Sequence, residues 1–178
     1  MDFTHPTYVI LPIKPPVADQ VLRIRERYGH PSPNPVEVTV AGSSGVDVLE
    51  PDQDPAAVVQ ALERIAASTP PFQTEFGEVR RFPGTHIYWL SLKDEAPFRA
   101  LRERLKNSGI RFRPSPFPYH PHCTLQVRER SEEEAAELLR LRVPGTVVFD
   151  EIALAAEVVR ENRPVEARIL WTARLTGA

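Results

Sequence analysis

Two helical segments of one texture, set between matching runs of strand and proline, do most to restrict the folds open to this chain. Val17 to Tyr28 places Val17, Val21, Leu22, Ile24 and Tyr28 among Asp19, Arg23, Arg25, Glu26 and Arg27, the period of an amphipathic helix. Pro97 to Asn107 repeats the pattern with Phe98, Leu101 and Leu105, and Leu22-Arg23-Ile24-Arg25-Glu26-Arg27 is echoed in Leu101-Arg102-Glu103-Arg104-Leu105. Each helix falls in the same series: strand, amphipathic helix, proline-rich loop, strand, helix, strand, strand. A repeat of this kind predicts two lobes related by a pseudo-two-fold, with equivalent strands facing each other across a cleft. The expected fold is therefore α+β and bilobal, with antiparallel sheets inside and helices outside. Lobe 1 is set at about residues 1–85 and lobe 2 at about 86–178, with room for strands to be exchanged between them. The 178 residues fit one such domain.

Taken in order, Tyr8-Val9-Ile10-Leu11 reads as a buried strand closed by Pro12. The first helix is opened by Pro15-Pro16 and stopped by Gly29, and residues 30–35 form a proline-rich loop. Val36-Glu37-Val38-Thr39-Val40 is a strand with Glu37 and Thr39 on one face and the valines on the other. Asp54 is the expected N-cap and Pro55 the first residue of a helix to about Ala67. Phe72 to Val79 and His86 to Leu92 are expected strands on either side of a turn at Arg80 to Gly84. Ser131-Glu132-Glu133-Glu134 is a capping box and acidic first turn for a helix to about Leu141. One or two strands follow over Thr146 to Val159, then a turn at Glu161 to Pro164 and a last strand over Val165 to Leu175.

Composition narrows the function classes. There is no run of 18 apolar residues, so no transmembrane helix is expected. Met1-Asp2-Phe3-Thr4-His5-Pro6 has no basic stretch followed by an apolar one, so no secretory leader is expected. The single Cys123 rules out an internal disulfide and fits a cytoplasmic protein. A net charge of −2 argues against a non-specific nucleic-acid coat and leaves room for a small phosphate pocket. Lysine occurs only as Lys14, Lys93 and Lys106; the other basic residues are arginines. Arginine suits forked contacts to phosphate, but genomic base composition accounts for the bias more simply.

The chemistry concentrates in Pro118-Tyr119-His120-Pro121-His122-Cys123-Thr124-Leu125-Gln126-Val127. Alternation along a strand points His122 and Thr124 one way and Cys123 and Leu125 the other. An imidazole beside a hydroxyl suits a phosphate: the hydroxyl holds a phosphoryl oxygen and the imidazole moves a proton. In the repeat, the strand carrying Glu37 and Thr39 falls where the strand carrying His122 and Thr124 falls.

The chain resembles the two-histidine (2H) phosphoesterase superfamily, which includes the bacterial 2'-5' RNA ligases and related cyclic nucleotide phosphodiesterases. The resemblance covers nearly the whole chain. It rests on the duplicated order of elements, on Tyr119-His120-Pro121-His122-Cys123-Thr124-Leu125 as the second Pro-His-x-Thr motif, and on Ile87-Tyr88-Trp89-Leu90 with its helix ahead of that motif. It implies acid/base hydrolysis or ligation at 2',3'-cyclic phosphates or 2'-5' linkages of RNA or nucleotides, with neither a metal nor a nucleotide cofactor. It implies a catalytic role for His122 and phosphate contacts from Thr124 and Thr39. The first motif departs from the family: Glu37 stands where a histidine is expected. A carboxylate can accept a proton, but ionised it repels a phosphate. The expected function is thus a 2'-5' RNA ligase-like or cyclic phosphodiesterase activity with Glu37 in the second catalytic position. The alternative is a catalytically degenerate protein that keeps the cleft to bind a nucleotide or RNA end.

Further candidates surround this core. His30 and His120 are alternative sources of a second imidazole, and His86 opens a strand near the cleft. Arg128 and Arg130 continue the His122 face by alternation, and with Tyr119 and His120 are the candidate substrate contacts. Arg111 and Arg113 lead into the motif and face an RNA tail in this reading, while Tyr119, Phe117 and Phe82 are candidates to stack on a base. Cys123 faces away from His122, against a Cys-His nucleophile. No His, Cys and Asp cluster has metal-ligand spacing and no Gly-rich phosphate loop is present. A monomer with no obligate protein partner is expected.

Overall fold

In the computed structural model, residues 1–29, 34–42, 46–158 and 166–178 are described. They form eight strands and four helices: β1 Thr7–Pro12, α1 Val17–Arg27, β2 Glu37–Ala41, α2 Pro55–Ala67, β3 Phe72–Arg81, β4 Tyr88–Leu92, α3 Ala96–Lys106, β5 Cys123–Gln126, α4 Glu132–Arg140, β6 Thr146–Phe149, β7 Glu151–Val158 and β8 Glu166–Arg174. His30 and the expected turn over 161–164 lie outside the described residues. Among the described residues, no helix is long and apolar enough to cross a membrane.

Local chemistry explains the helix starts. The Asp54 carboxylate accepts from the Ala56 backbone at the head of α2, with Pro55 needing no partner there. At α4, Ser131 and Glu134 each bond the other's backbone N–H, the capping box expected from their spacing.

The strands build two four-stranded sheets, ordered β2-β1-β7-β8 and β5-β4-β3-β6, with antiparallel neighbours throughout. Sheet membership does not follow the halves of the chain. β3 belongs to the second sheet, between β4 and β6, while β7 and β8 complete the first. One continuous core joins the two: Val9, Leu11, Val38, Val40 and Leu154 from the first sheet meet Leu90, Leu92, Cys123, Leu125 and Phe149 from the second. The opposite face of the first sheet carries a smaller apolar floor of Ile10, Ala153 and Ala155, with Tyr8 beside it.

β2 and β5 are each the edge strand of their sheet, and they lie against one another. Unpaired edge carbonyls need donors, and helices of the opposite half supply them. Arg25 of α1 sends Nε and Nη2 to the Thr124 carbonyl of β5, at 3.1 and 2.7 Å. Arg102 of α3 sends Nη1 to the Val40 carbonyl of β2 at 2.8 Å. The repeated texture therefore registers as Ile24-Arg25-Glu26-Arg27-Tyr28 on Leu101-Arg102-Glu103-Arg104-Leu105, with Arg25 and Arg102 in equivalent, buried positions. Leu22, which a looser match pairs with Leu101, is 42% exposed.

Several strand boundaries differ from expectation. β3 runs on to Arg81, past the expected turn at Arg80, because Arg80 and Arg81 pair with Trp89 and Tyr88 of β4. β4 starts at Tyr88 rather than His86, because a turn closes first: Thr85 N–H donates to the Phe82 carbonyl and Ile87 N–H to the Thr85 hydroxyl. His86 is left exposed on that turn. β5 stops at Gln126, whose Oε1 accepts from the Val127 and Arg128 backbones and turns the chain away.

Candidate active site

The two motif strands carry their polar pairs as alternation requires. Glu37 and Thr39 are half-buried while Val36, Val38 and Val40 are buried. His122 and Thr124 are half-buried while Cys123 and Leu125 are buried. His122 sits one residue ahead of β5 yet keeps the strand's face. Contact between β2 and β5 brings the two motifs into one neighbourhood.

His122 is held in one orientation and one tautomer. Its Nδ1 lies 2.6 Å from the His120 carbonyl oxygen. A carbonyl only accepts, so Nδ1 carries the proton and Nε2 presents the lone pair when the ring is neutral. Phe82 and Trp89 meet the ring edge-on, with centroids at 5.1 and 5.5 Å, and stack on one another at 4.9 Å. Trp89 stands directly across from Thr124 in the β4–β5 pairing, which puts it on the motif face. Burial against these rings disfavours the imidazolium and holds the His122 pKa below its ordinary 6.5, although the bond to His120 pulls the other way.

Glu37 has the opposite bias. Burial raises its pKa to about 7, against the opposing pull of the Thr39 hydroxyl bond and the Arg25 charge. Thr39 Oγ1 donates to Glu37 Oε2 at 3.0 Å. At neutral pH the carboxyl is thus divided between acid and anion, and its neutral form does not repel a phosphate. Arg25 ties β5 to the segment that leads into β2: besides Thr124 it reaches the carbonyls of Asn34 and Pro35 at 3.2 and 3.4 Å.

The remaining candidates are placed as follows. Tyr119 is half-buried beneath Arg102, whose guanidinium lies 4.5 Å from the ring centroid, and its hydroxyl donates to the Thr39 carbonyl at 3.1 Å. It fastens β2 rather than standing free as a stacking platform. His120 is exposed and serves His122 through its carbonyl, not its ring. Because β5 ends at Gln126, alternation no longer carries Arg128 and Arg130 onto the His122 face. Arg128 is exposed, and Arg130 lies 3.9 Å from Glu134 at the head of α4. Arg111 pairs with Asp52 at 2.8 Å. Cys123 is wholly buried, and burial pushes its thiol up to about 12, which removes it as a nucleophile. No group of three or more His, Cys, Asp or Glu residues suited to a metal occurs among the described residues.

Four residues of this neighbourhood escaped the sequence reading. Arg25 had a readable signal: with Val17 and Val21 it occupies the apolar stripe of α1, as Arg102 does with Phe98 and Leu105 on α3. Tyr8 and Glu157 had none. Their hydrogen bond joins β1 to β7 across 149 residues of sequence, and burial with that bond drives the Tyr8 pKa far upward.

Comparison with known proteins agrees with this fold. The family model of the 2'-5' RNA ligase superfamily matches residues 14–161. No curated protein sequence matches the chain. Among solved structures, E. coli LigT complexed with 3'-AMP aligns with a TM-score of 0.64 at 20% identity, over 97% of this chain and 98% of that one. TT0787 of Thermus thermophilus aligns with a TM-score of 0.71 at 18% identity, over 97% of this chain and 98% of that one. Usb1 of Kluyveromyces marxianus aligns with a TM-score of 0.50 at 11% identity, over 93% of this chain and 98% of that one.

Proposed function

The chain belongs to the 2'-5' RNA ligase superfamily, and from that premise we propose that it hydrolyses 2',3'-cyclic phosphate ends of RNA or nucleotides with His122 as base and Glu37 as acid. The observation that carries this reading is the opposed bias of the two groups, His122 held neutral and Glu37 held near 7. Environments that push two titratable groups in opposite directions assign acid and base roles. Neutral His122 takes a proton at Nε2 from the attacking water as its oxygen bonds phosphorus. The bond from phosphorus to one ribose oxygen breaks, and protonated Glu37 gives that oxygen a proton. The product is a monoester with a free hydroxyl. Thr124 and Thr39 donate to the non-bridging oxygens; Thr39 exchanges its bond to Glu37 for one to phosphate.

Nucleotide complexes of E. coli LigT with 3'-AMP, NADP+ and ATP are known, and they support a nucleotide or RNA end as ligand here. The reading includes a cytoplasmic, monomeric protein. A second reading is kept by one observation: Thr39 spends its hydroxyl on Glu37, which suits a protein that binds phosphate weakly and turns nothing over. Product analysis separates the two. Incubation with 2',3'-cyclic AMP followed by chromatography yields a single monoester in the first reading; equilibrium binding without product supports the second.

A further inference from the structure

A groove of about 470 Å³ lies between α3 and the segment 110–119 that leads to His122. Tyr119 is its shared wall: the ring lines the groove, while the hydroxyl reaches the Thr39 carbonyl of the motif strand. The groove therefore adjoins the candidate active site without being part of it.

Its lining combines cations with an unburied aromatic ring. Lys106 and Arg113 both face it. Their present partners are surface carboxylates, Glu103 at 3.0 Å and Glu50 at 3.8 Å. Exposed pairs of this kind stabilise little and give way to a phosphate, which accepts stronger charge-assisted bonds. The acid in the lining, Asp47, is already neutralised by Arg102 at 2.6 Å. Phe117 is 70% exposed, so it serves no core. It is nevertheless held: it sits between Pro116 and Pro118, and the Ser115 hydroxyl bonds both its N–H and its carbonyl. A ring displayed on a stiff loop loses little entropy on stacking.

An apolar ligand would leave the cations unused, and a simple anion would leave Phe117 unused. A nucleotide uses both, one flat base and one phosphodiester. We propose that this groove is a second nucleotide subsite, taking the RNA residue that neighbours the one bearing the reacting phosphate. Phe117 stacks on the base, and Arg113 and Lys106 hold the phosphodiester. The proposal rests on the functional reading above and adds that an oligonucleotide end is bound in preference to a free cyclic mononucleotide.

The test is binding, which needs no turnover. The full chain is titrated with a 5'-fluorescein tetra-adenylate ending in a 3'-phosphate, read by anisotropy, and with 3'-AMP as competitor. The wild type is expected to bind the tetranucleotide at least about tenfold tighter than the mononucleotide. Phe117→Ala is expected to lose that margin, and Arg113→Ala to lower the salt slope of tetranucleotide binding by about one. Both side chains are at the surface, so both variants fold. Equal affinity for the two ligands in the wild type overturns the subsite, as does a margin retained in both variants. Hydrolysis of 2',3'-cyclic AMP, run in parallel, reports on the catalytic reading alone.

Discussion

Thr39 donates its hydroxyl to Glu37 along the half-buried face of β2, at 3.0 Å. The bond favours the carboxylate, as does the Arg25 charge, yet burial outweighs both and leaves the Glu37 pKa at about 7. A residue that looks like a lesion in the first motif is thereby kept in the range where an acid catalyst works.

Activity should follow a bell in pH. It rises as His122 loses its proton, at a pH below 6.5, and falls as Glu37 loses its own, at about 7. Glu37→Gln removes the falling limb and lowers kcat by about 10²–10⁴. A pH–rate profile of both proteins on 2',3'-cyclic AMP checks this.

The same substitution should stabilise the fold at high pH. Glu37 has a folded pKa raised above its unfolded value, so it favours folding at low pH and opposes it as pH rises through about 7. Glu37→Gln is expected to gain on the order of 1–3 kcal/mol at pH 8.5 and little at pH 4. Urea denaturation at the two pH values measures the difference.

Much of this was legible beforehand. The succession of strands and helices along the chain, the Asp54 and Ser131 caps and the inward face of Cys123 follow from alternation and capping chemistry acting over a few residues. What escaped was tertiary. The sequence leaves room for exchange of strands between the halves but does not say which strand: β3 leaves its own half because it pairs with β4 and β6, and a pairing partner is not written in a strand's own alternation. Alternation stops short of Arg128 and Arg130 because a side chain, that of Gln126, ends β5 by bonding two backbone N–H groups. Arg25 was passed over because arginine on an amphipathic helix ordinarily belongs to the wet face.

Arg25 is expected to act on both stability and titration. It is 5% exposed and ties Thr124 of β5 to the approach of β2. Arg25→Met leaves those carbonyls without their donor and costs about 3 kcal/mol. Arg25→Lys keeps the charge but lacks the fork, and should recover part of the loss. Removing the charge also takes away a force that lowers the Glu37 pKa. In Arg25→Met the falling limb of the pH profile therefore moves upward. A merely structural Arg25 would leave that limb in place.

Phe82→Ala should open the flank of His122. The Phe82 ring sits 5.1 Å from the imidazole and contributes to its dry surroundings. Its loss rehydrates the imidazolium, so the rising limb moves toward 6.5 while the falling limb stays. The shift is measurable by NMR titration of His122 as well as by kinetics.

The most direct test of the account is single-turnover hydrolysis of an RNA ending in a 2',3'-cyclic phosphate, by the wild type and by His122→Ala, at pH 6.5. The account predicts conversion to one monoester by the wild type and a loss of about 10²–10⁴ in rate for His122→Ala. Equal rates in the two proteins, or a substrate that the folded wild type does not convert at all, would contradict it.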